Sequence, residues 1–214
     1  MAKNIYVVVS STYTYFGKTI RMFGKIRYNH ASIALDDKLQ EIYSFGRQKH
    51  AALLTGKLVK ENISRFTLDK ESNVDVTIFK IPVTEEQYRD IRDFIHAVHE
   101  DREYLYNLFS VLTYPLTKGL SVYKAFTCIE FIMYLLTRVG MEFGRPLYEY
   151  KPDDLLELLR DDILFQGNLL EYVNEKKTVT NYFDRLSVPE YKESAVCLSK
   201  LLARTVTLRK NELY

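Results

Sequence analysis

Val74-Asp75-Val76-Thr77-Ile78-Phe79-Lys80-Ile81-Pro82-Val83-Thr84-Glu85-Glu86-Gln87 is where the chain changes from strand chemistry to helix chemistry. Residues 74–81 alternate weakly, are rich in β-branched side chains and stop at Pro82, which predicts a strand. Thr84 and Gln87 then have the spacing of a capping box, with Glu85 and Glu86 in the first turn, where the helix dipole favours negative charge. Tyr88, Ile91, Ile95 and Val98 follow at helical spacing, so a helix is predicted over 84–101.

Working back from this point, the chain reads mainly as strand. Residues 5–10 are β-branched and apolar, as in a buried strand. Residues 17–24 read as a short helix bounded by glycines. Residues 30–35 and 39–45 form a predicted hairpin turning at Asp36-Asp37-Lys38; this puts Leu35 across from Leu39 and Ser44 across from His30. Residues 46–71 read as a long loop with short strands.

Working forward, helices dominate. Residues 104–124 are aromatic and irregular, broken by Pro115 and Gly119. A second capping box, Thr127 with Glu130, opens a helix whose Ile129, Ile132, Met133, Leu136 and Val139 face inward and which Gly140 ends. A short helix runs from Lys151 through Leu159. Residues 163–173 read as a strand pair turning at Gly167-Asn168. Residues 189–206 form an amphipathic helix with Leu198, Leu201 and Leu202 on one face. There is no regular alternation of strand and helix. The expected class is α+β, an antiparallel sheet packed against helices.

Composition bounds the function. The chain has 214 residues, 47% hydrophobic and 27% charged, which fits one globular domain with an extension and excludes a disulfide miniprotein or a disordered tail. Thirty basic against 28 acidic residues give a net charge of +2, which argues against a dedicated nucleic-acid binder. No stretch approaches the roughly 20 apolar residues of a spanning helix, so no integral membrane segment is expected. The first ten residues are too short an apolar run for a signal sequence. Cys128 and Cys197 form neither a disulfide framework nor a zinc pattern, so no metal and no cofactor are expected. A cytoplasmic location is the expectation, and the Asn62-Ile63-Ser64 sequon then has no meaning.

Cys128 carries the chemistry. The capping box places it at the first helical position, where unsatisfied N–H groups favour a thiolate. The same position, beside Phe126 and Ile129, also suits a packed core cysteine. A thiol nucleophile needs a base. His96 and His99 lie on the charged helix and read as solvated, with no evident third ligand for a metal. His50 lies in the long loop. His30 opens a strand, which holds a ring more rigidly than a loop does. The base in turn wants a polar group on its other nitrogen. Ser44 is the candidate from the hairpin pairing, and Glu41 is the electrostatically stronger candidate if the register differs.

The strand His30 to Leu35 followed by Thr127-Cys128-Ile129-Glu130-Phe131 resembles the circularly permuted NlpC-type papain-like cysteine hydrolases. The YiiX-like branch is the nearest in pattern, with lecithin:retinol acyltransferase a more distant relative. Residues 5–9 with the following polar turn, the helix start at Pro82 to Gln87, and Tyr106-Asn107 support the match, which spans about residues 4–140 in order. The branch usually has an acidic residue near the end of the strand after the histidine, where this chain has Ser44.

The resemblance implies a papain-like fold over residues 1–175 and a C-terminal helical extension over 176–214. It implies a thiol hydrolase, peptidase, amidase or acyltransferase, in which Cys128 attacks a carbonyl and His30 carries the proton. Tyr106 would serve as a second oxyanion donor or as a pocket wall, and Glu130 as a cap only. The substrate would be a small molecule, a peptide or a lipid acyl group. Two other readings stay open. One is a weak or inactive papain-like binding protein, suggested by Ser44, the abundant Tyr and the amphipathic helix at 189–206. The other is a membrane-surface helix at 189–206, carrying Lys192, Lys200 and Arg204, with Arg209 and Lys210 beyond it.

Overall fold

The computed structural model describes residues 3–12, 26–52, 56–68, 73–173 and 181–207. Eight strands and seven α-helices are assigned within these residues. Strand β1 (Lys3–Ser10) is followed by β2 (His30–Ala34), β3 (Ile42–Gly46) and β4 (Lys57–Lys60). Helix α1 (Ile63–Thr67) precedes β5 (Asp75–Val83) and α2 (Glu85–Glu100). Then come β6 (Leu105–Tyr106), α3 (Leu108–Thr117), β7 (Ala125–Phe126) and α4 (Cys128–Arg138). The chain continues through α5 (Leu155–Leu158), β8 (Ile163–Asn168), α6 (Leu169–Tyr172) and α7 (Val188–Thr207). The predicted helix at 17–24 lies outside the described residues.

The expected α+β class holds. Six antiparallel strands form one sheet in the order β4-β3-β2-β1-β5-β8, and β6 and β7 form a small parallel pair. β1 lies centrally, with Val7 paired to Ile33 on one side and Phe79 on the other. Both faces of the sheet are covered. Ile5, Val7, Val9, Ile33 and Phe79 pack with α2 and α4, while Tyr6, Val8, Ala34 and Ile78 pack with α1 and α6. This is why residues 5–10 read as a continuous apolar run, and why the alternation in β5 is weak.

Both capping boxes form. In α2, Gln87 N–H donates to Thr84 Oγ1 at 3.1 Å and Thr84 N–H to Gln87 Oε1 at 2.9 Å. In α4, Glu130 N–H donates to Thr127 Oγ1 at 3.1 Å and Thr127 N–H to Glu130 Oε2 at 3.3 Å. An aromatic cluster holds α4 to the sheet. Phe131 lies with its ring centroid 5.0 Å from Phe45 and 5.7 Å from Phe126, and all three are buried.

Four expectations need correction. The hairpin turn is longer than Asp36-Asp37-Lys38. The Asp36 carboxylate accepts N–H bonds from Lys38, Gln40 and Glu41, and Leu39 takes a positive φ of 57°. Leu35 N–H therefore bonds Glu41 O rather than pairing at Leu39, and Ile33 lies across from Tyr43. The pairing slips by two residues, which keeps every side chain on its predicted face. Residues 104–124 are not wholly irregular, since α3 forms with Pro115 inside it, capped by the buried Asn107. Residues 163–173 are one strand and a short helix, because Asn168 caps α6 instead of turning a hairpin. In α7 Leu201 is buried, while Leu202 is exposed.

Phe131→Ala would leave a cavity among aromatic rings that have little freedom to collapse. A loss of about 3–5 kcal/mol is expected, read as a lower denaturant midpoint with an unchanged slope.

Candidate active site

Cys128 and His30 come together. Cys128 opens α4 after the short β7 strand, and His30 opens β2 opposite Ser10 of β1. Cys128 adjoins the imidazole closely enough to act on its charge. α4 rests on β2 and β3 through Phe131, Ile132 and Phe45. The dyad is largely covered: Cys128 is buried, and the His30 side chain retains 17% of its exposure.

The imidazole is oriented by Glu61, a residue the sequence reading missed. His30 Nε2 lies 2.6 Å from Glu61 Oε1. That contact uses Nε2 and leaves Nδ1 for the cysteine side of the ring. Glu61 directly follows β4, where its N–H bonds Ile42 O at 2.8 Å. Asn62 next to it caps α1 by accepting Arg65 N–H at 3.1 Å, and Arg65 Nε reaches back to Glu61 Oε2 at 3.3 Å. Short backbone fixtures on both sides thus aim one buried carboxylate at the ring.

The two expected orienting residues fare differently. Ser44 is buried on the same face and donates its hydroxyl to Glu61 Oε1, so it supports the carboxylate instead of contacting the ring in its place. Glu41 is exposed at the hairpin turn, and the long turn holds its backbone to Asp36 and Leu35. Glu61 takes the role considered for Glu41. An acidic residue thus meets the His30 ring from the end of β4, with the Ser44 hydroxyl bonded to it. Two signals pointed to it: an Asx residue in N-cap position at Asn62, and an acid–arginine pair at i, i+4. Both lie within 46–71, whose strand and helix are too short to show a periodic pattern.

Electrostatics follow the geometry. Burial opposes a charge on His30, but Glu61 and the bonds to Cys128 and Glu61 outweigh it and raise the imidazole pKa. Burial likewise opposes charge on Glu61, yet His30, Arg65 and Ser44 together hold its carboxyl well below the usual range. Tyr106 stands on the cysteine side. Parallel pairing of Leu105 with Ala125 and Tyr106 with Phe126 sets Tyr106 beside the residue two before Cys128. Burial, then the neighbouring Cys128, pushes its phenol pKa up, so it remains a proton donor.

At the start of α4 the capping box takes the N–H of Glu130, and Phe131 N–H bonds Thr127 O. The N–H groups of Cys128 and Ile129 belong to the first turn, where no carbonyl of the helix itself can reach them. Glu130 acts in the cap, as expected.

The other histidines lie elsewhere. His96 and His99 are exposed on α2 against the Tyr43 ring, and His99 Nδ1 lies 3.2 Å from Leu58 O. His50 packs on Tyr182. Among the described residues no three His, Cys, Asp or Glu side chains are grouped to hold a metal. No helix among them is long and apolar enough to cross a membrane. Helix α7 turns Leu201 onto Leu105, Leu108 and Val122, and Lys200 and Arg204 pair with Glu103. Two of the three cations of the membrane-surface reading are thereby engaged by the protein; Arg209 and Lys210 lie outside the described residues.

The pair sets a pH window for stability. Glu61 has a lowered pKa in the folded chain, so its contribution is present above its ordinary value of 4.5 and is lost as pH falls through the folded value. His30 has a raised pKa, so its contribution is complete below its ordinary value of 6.5 and is lost as pH rises through the folded value. The stability difference between the wild type and Glu61→Gln should therefore be greatest between those two ordinary values. Denaturant melts across pH check this; a flat difference would contradict it.

No family model, no curated protein and no solved structure matches the chain, so the reading of this site rests on its own geometry.

Proposed function

We propose that the protein is a cysteine hydrolase or acyltransferase of papain-like mechanism, with Cys128 as nucleophile and His30 as its base. The single observation that carries this reading is the array Cys128–His30–Glu61: Cys128 adjoins the His30 ring and His30 Nε2 lies 2.6 Å from Glu61 Oε1, the three coming from the first turn of a helix, the first residue of a strand and the end of another. A nucleophile, a base and a buried acidic orienter in that order are what thiol catalysis requires.

The steps follow from the roles. His30 takes the thiol proton as sulfur attacks a carbonyl carbon, and the carbonyl electrons move to oxygen. The Cys128 N–H, with Tyr106 O–H as the second donor, stabilises the oxyanion. Collapse expels the leaving group, which receives the proton from His30, and leaves a thioester on Cys128. Water, or another acceptor in the acyltransferase variant, then gives its proton to His30 and attacks the thioester. Collapse of this second adduct breaks the C–S bond, the acyl product departs, and the Cys128 sulfur takes back the proton from His30. Glu61 keeps the ring oriented throughout and stabilises its charged form, with Ser44 and Arg65 holding Glu61. A peptide, amide or acyl-ester substrate and a cytoplasmic setting belong to this proposal.

The alternative of a weak or inactive papain-like binding protein draws on Ser44, the abundant Tyr and the amphipathic helix at 189–206; the carboxylate of Glu61 at His30 Nε2 favours the enzyme reading over the first of these.

The two cysteines provide their own comparison. Burial pushes the Cys197 thiol pKa up. At neutral pH, iodoacetamide should label Cys128 well before Cys197, with both followed by peptide mass spectrometry. His30→Ala should abolish the preference. Equal labelling, or Cys128 reacting no faster than a peptide thiol, would remove the nucleophile assignment.

A further inference from the structure

Arg65 is placed unusually for a surface-helix arginine. It is 10% exposed, and its guanidinium is used on every edge. Nε donates to Glu61 Oε2 at 3.3 Å, Nη2 to Arg47 O at 2.6 Å and Nη1 to Gln48 O at 3.3 Å. One of its flat faces is closed by the Tyr182 ring, whose centroid lies 4.0 Å from Cζ. Tyr182 is 5% exposed and comes from a different part of the chain, the segment that leads into α7.

That segment is held by polar anchors. His50 N–H donates to Tyr182 O at 2.8 Å, and the His50 ring stands edge-on to Tyr182. Lys49 pairs with Glu190 at 2.8 Å and Lys57 with Glu193. At the far end of α7, Lys200 and Arg204 pair with Glu103 and Leu201 is buried. Between these ends a groove of about 810 Å³ runs beneath the helix, bordered by β4, the end of α2, Glu193 and Cys197. The segment is thus fastened at its ends, with Tyr182 at one of them.

We propose that Tyr182 is a positioning residue for the candidate dyad: its ring seats Arg65, and Arg65 fixes the distal oxygen of the carboxylate that orients His30. The C-terminal segment thereby completes the site from outside the strand-and-helix unit that carries Cys128 and His30. The proposal rests on the Cys128–His30 reading given above. With the ring in place, the guanidinium acts on Glu61 across a dry contact, where charge interactions are strongest. Without it, water reaches one face of the guanidinium, screens it and frees the side chain to leave. The charged and titratable groups around this chain are Cys128 from α4, Tyr106 from β6, Arg47 and His50 from the loop after β3, Arg65 from α1 and Tyr182 itself.

The test is the pH profile of Cys128 alkylation by iodoacetamide in the full chain, scaled to a free peptide thiol. Cys197 labelling is followed alongside as a report on whether α7 stays seated. Tyr182→Ala should slow Cys128 roughly three- to tenfold near pH 6 relative to pH 9, because a less firmly held Glu61 supports less imidazolium. Tyr182→Phe, which keeps the ring, should retain the wild-type profile. Arg65→Lys, which keeps the charge and loses the stack, should behave like Tyr182→Ala and serves if that variant does not fold. An Ala profile that overlays the wild type, or a Phe profile as altered as that of Ala, overturns the positioning role while the dyad stands. Slow Cys128 in the wild type overturns the dyad, and the positioning role with it.

Discussion

A carboxylate buried inside a protein must be matched by donors, and Glu61 is matched on both oxygens. His30 and Ser44 meet one, and Arg65 meets the other. Much of the local architecture serves this requirement. β3 supplies Ser44 and the carbonyl of Ile42 that anchors the Glu61 backbone; β2 supplies the imidazole; α1 supplies the arginine. Removing any one partner would leave charge with less compensation in a dry place, which is costly in a way that removing a surface ion pair is not. The ion pairs that fasten α7 are of the weaker, more exposed kind.

The sheet makes this possible because it is covered on two sides by different means. One face is large, aromatic and helical, with α2 and α4 packed over Phe45, Phe79 and Phe131. The other is thinner and is closed by α1, α6 and neighbouring segments over Val8, Ala34 and Ile78. His30 and Ser44 lie at the thinner face, where polar side chains replace apolar ones along β2 and β3. Ser10 and Ser32 continue that polar row, fully buried and, among the described residues, without hydrogen-bond partners for their hydroxyls. Such groups are rarely tolerated in a core. Their concentration along the strands that carry His30 marks this end of the sheet as different from ordinary packing.

The architecture also separates two jobs that sequence order alone would merge. Cys128 is fixed by a rigid element, a capped helix wedged by aromatic rings, and His30 by a central strand. The groups behind them come from short connections: a residue after β4, a five-residue helix, a segment before α7. Rigid elements set the sulfur and the imidazole, and the connections set their electrostatic environment.

Local chemistry made part of this readable in the residues themselves. The capping boxes at Thr84 and Thr127 are satisfied within four residues, so both helix starts and the first-turn position of Cys128 follow from the sequence. So does the strand beginning at His30, because Ala31, Ile33, Ala34 and Leu35 follow it before the turn residues Asp36-Asp37. Tertiary structure alone decided the rest. The Asp36 carboxylate gathers three N–H groups and lengthens the turn, so the true pairing could not be had from turn residues alone. Glu61 stands 31 residues from His30, in a stretch whose strand is only four residues long and gains its hydrogen bonds from β3. Tyr182 is more distant still from Arg65. Partners of that kind are chosen by which backbones the sheet brings side by side, and no local pattern records the choice.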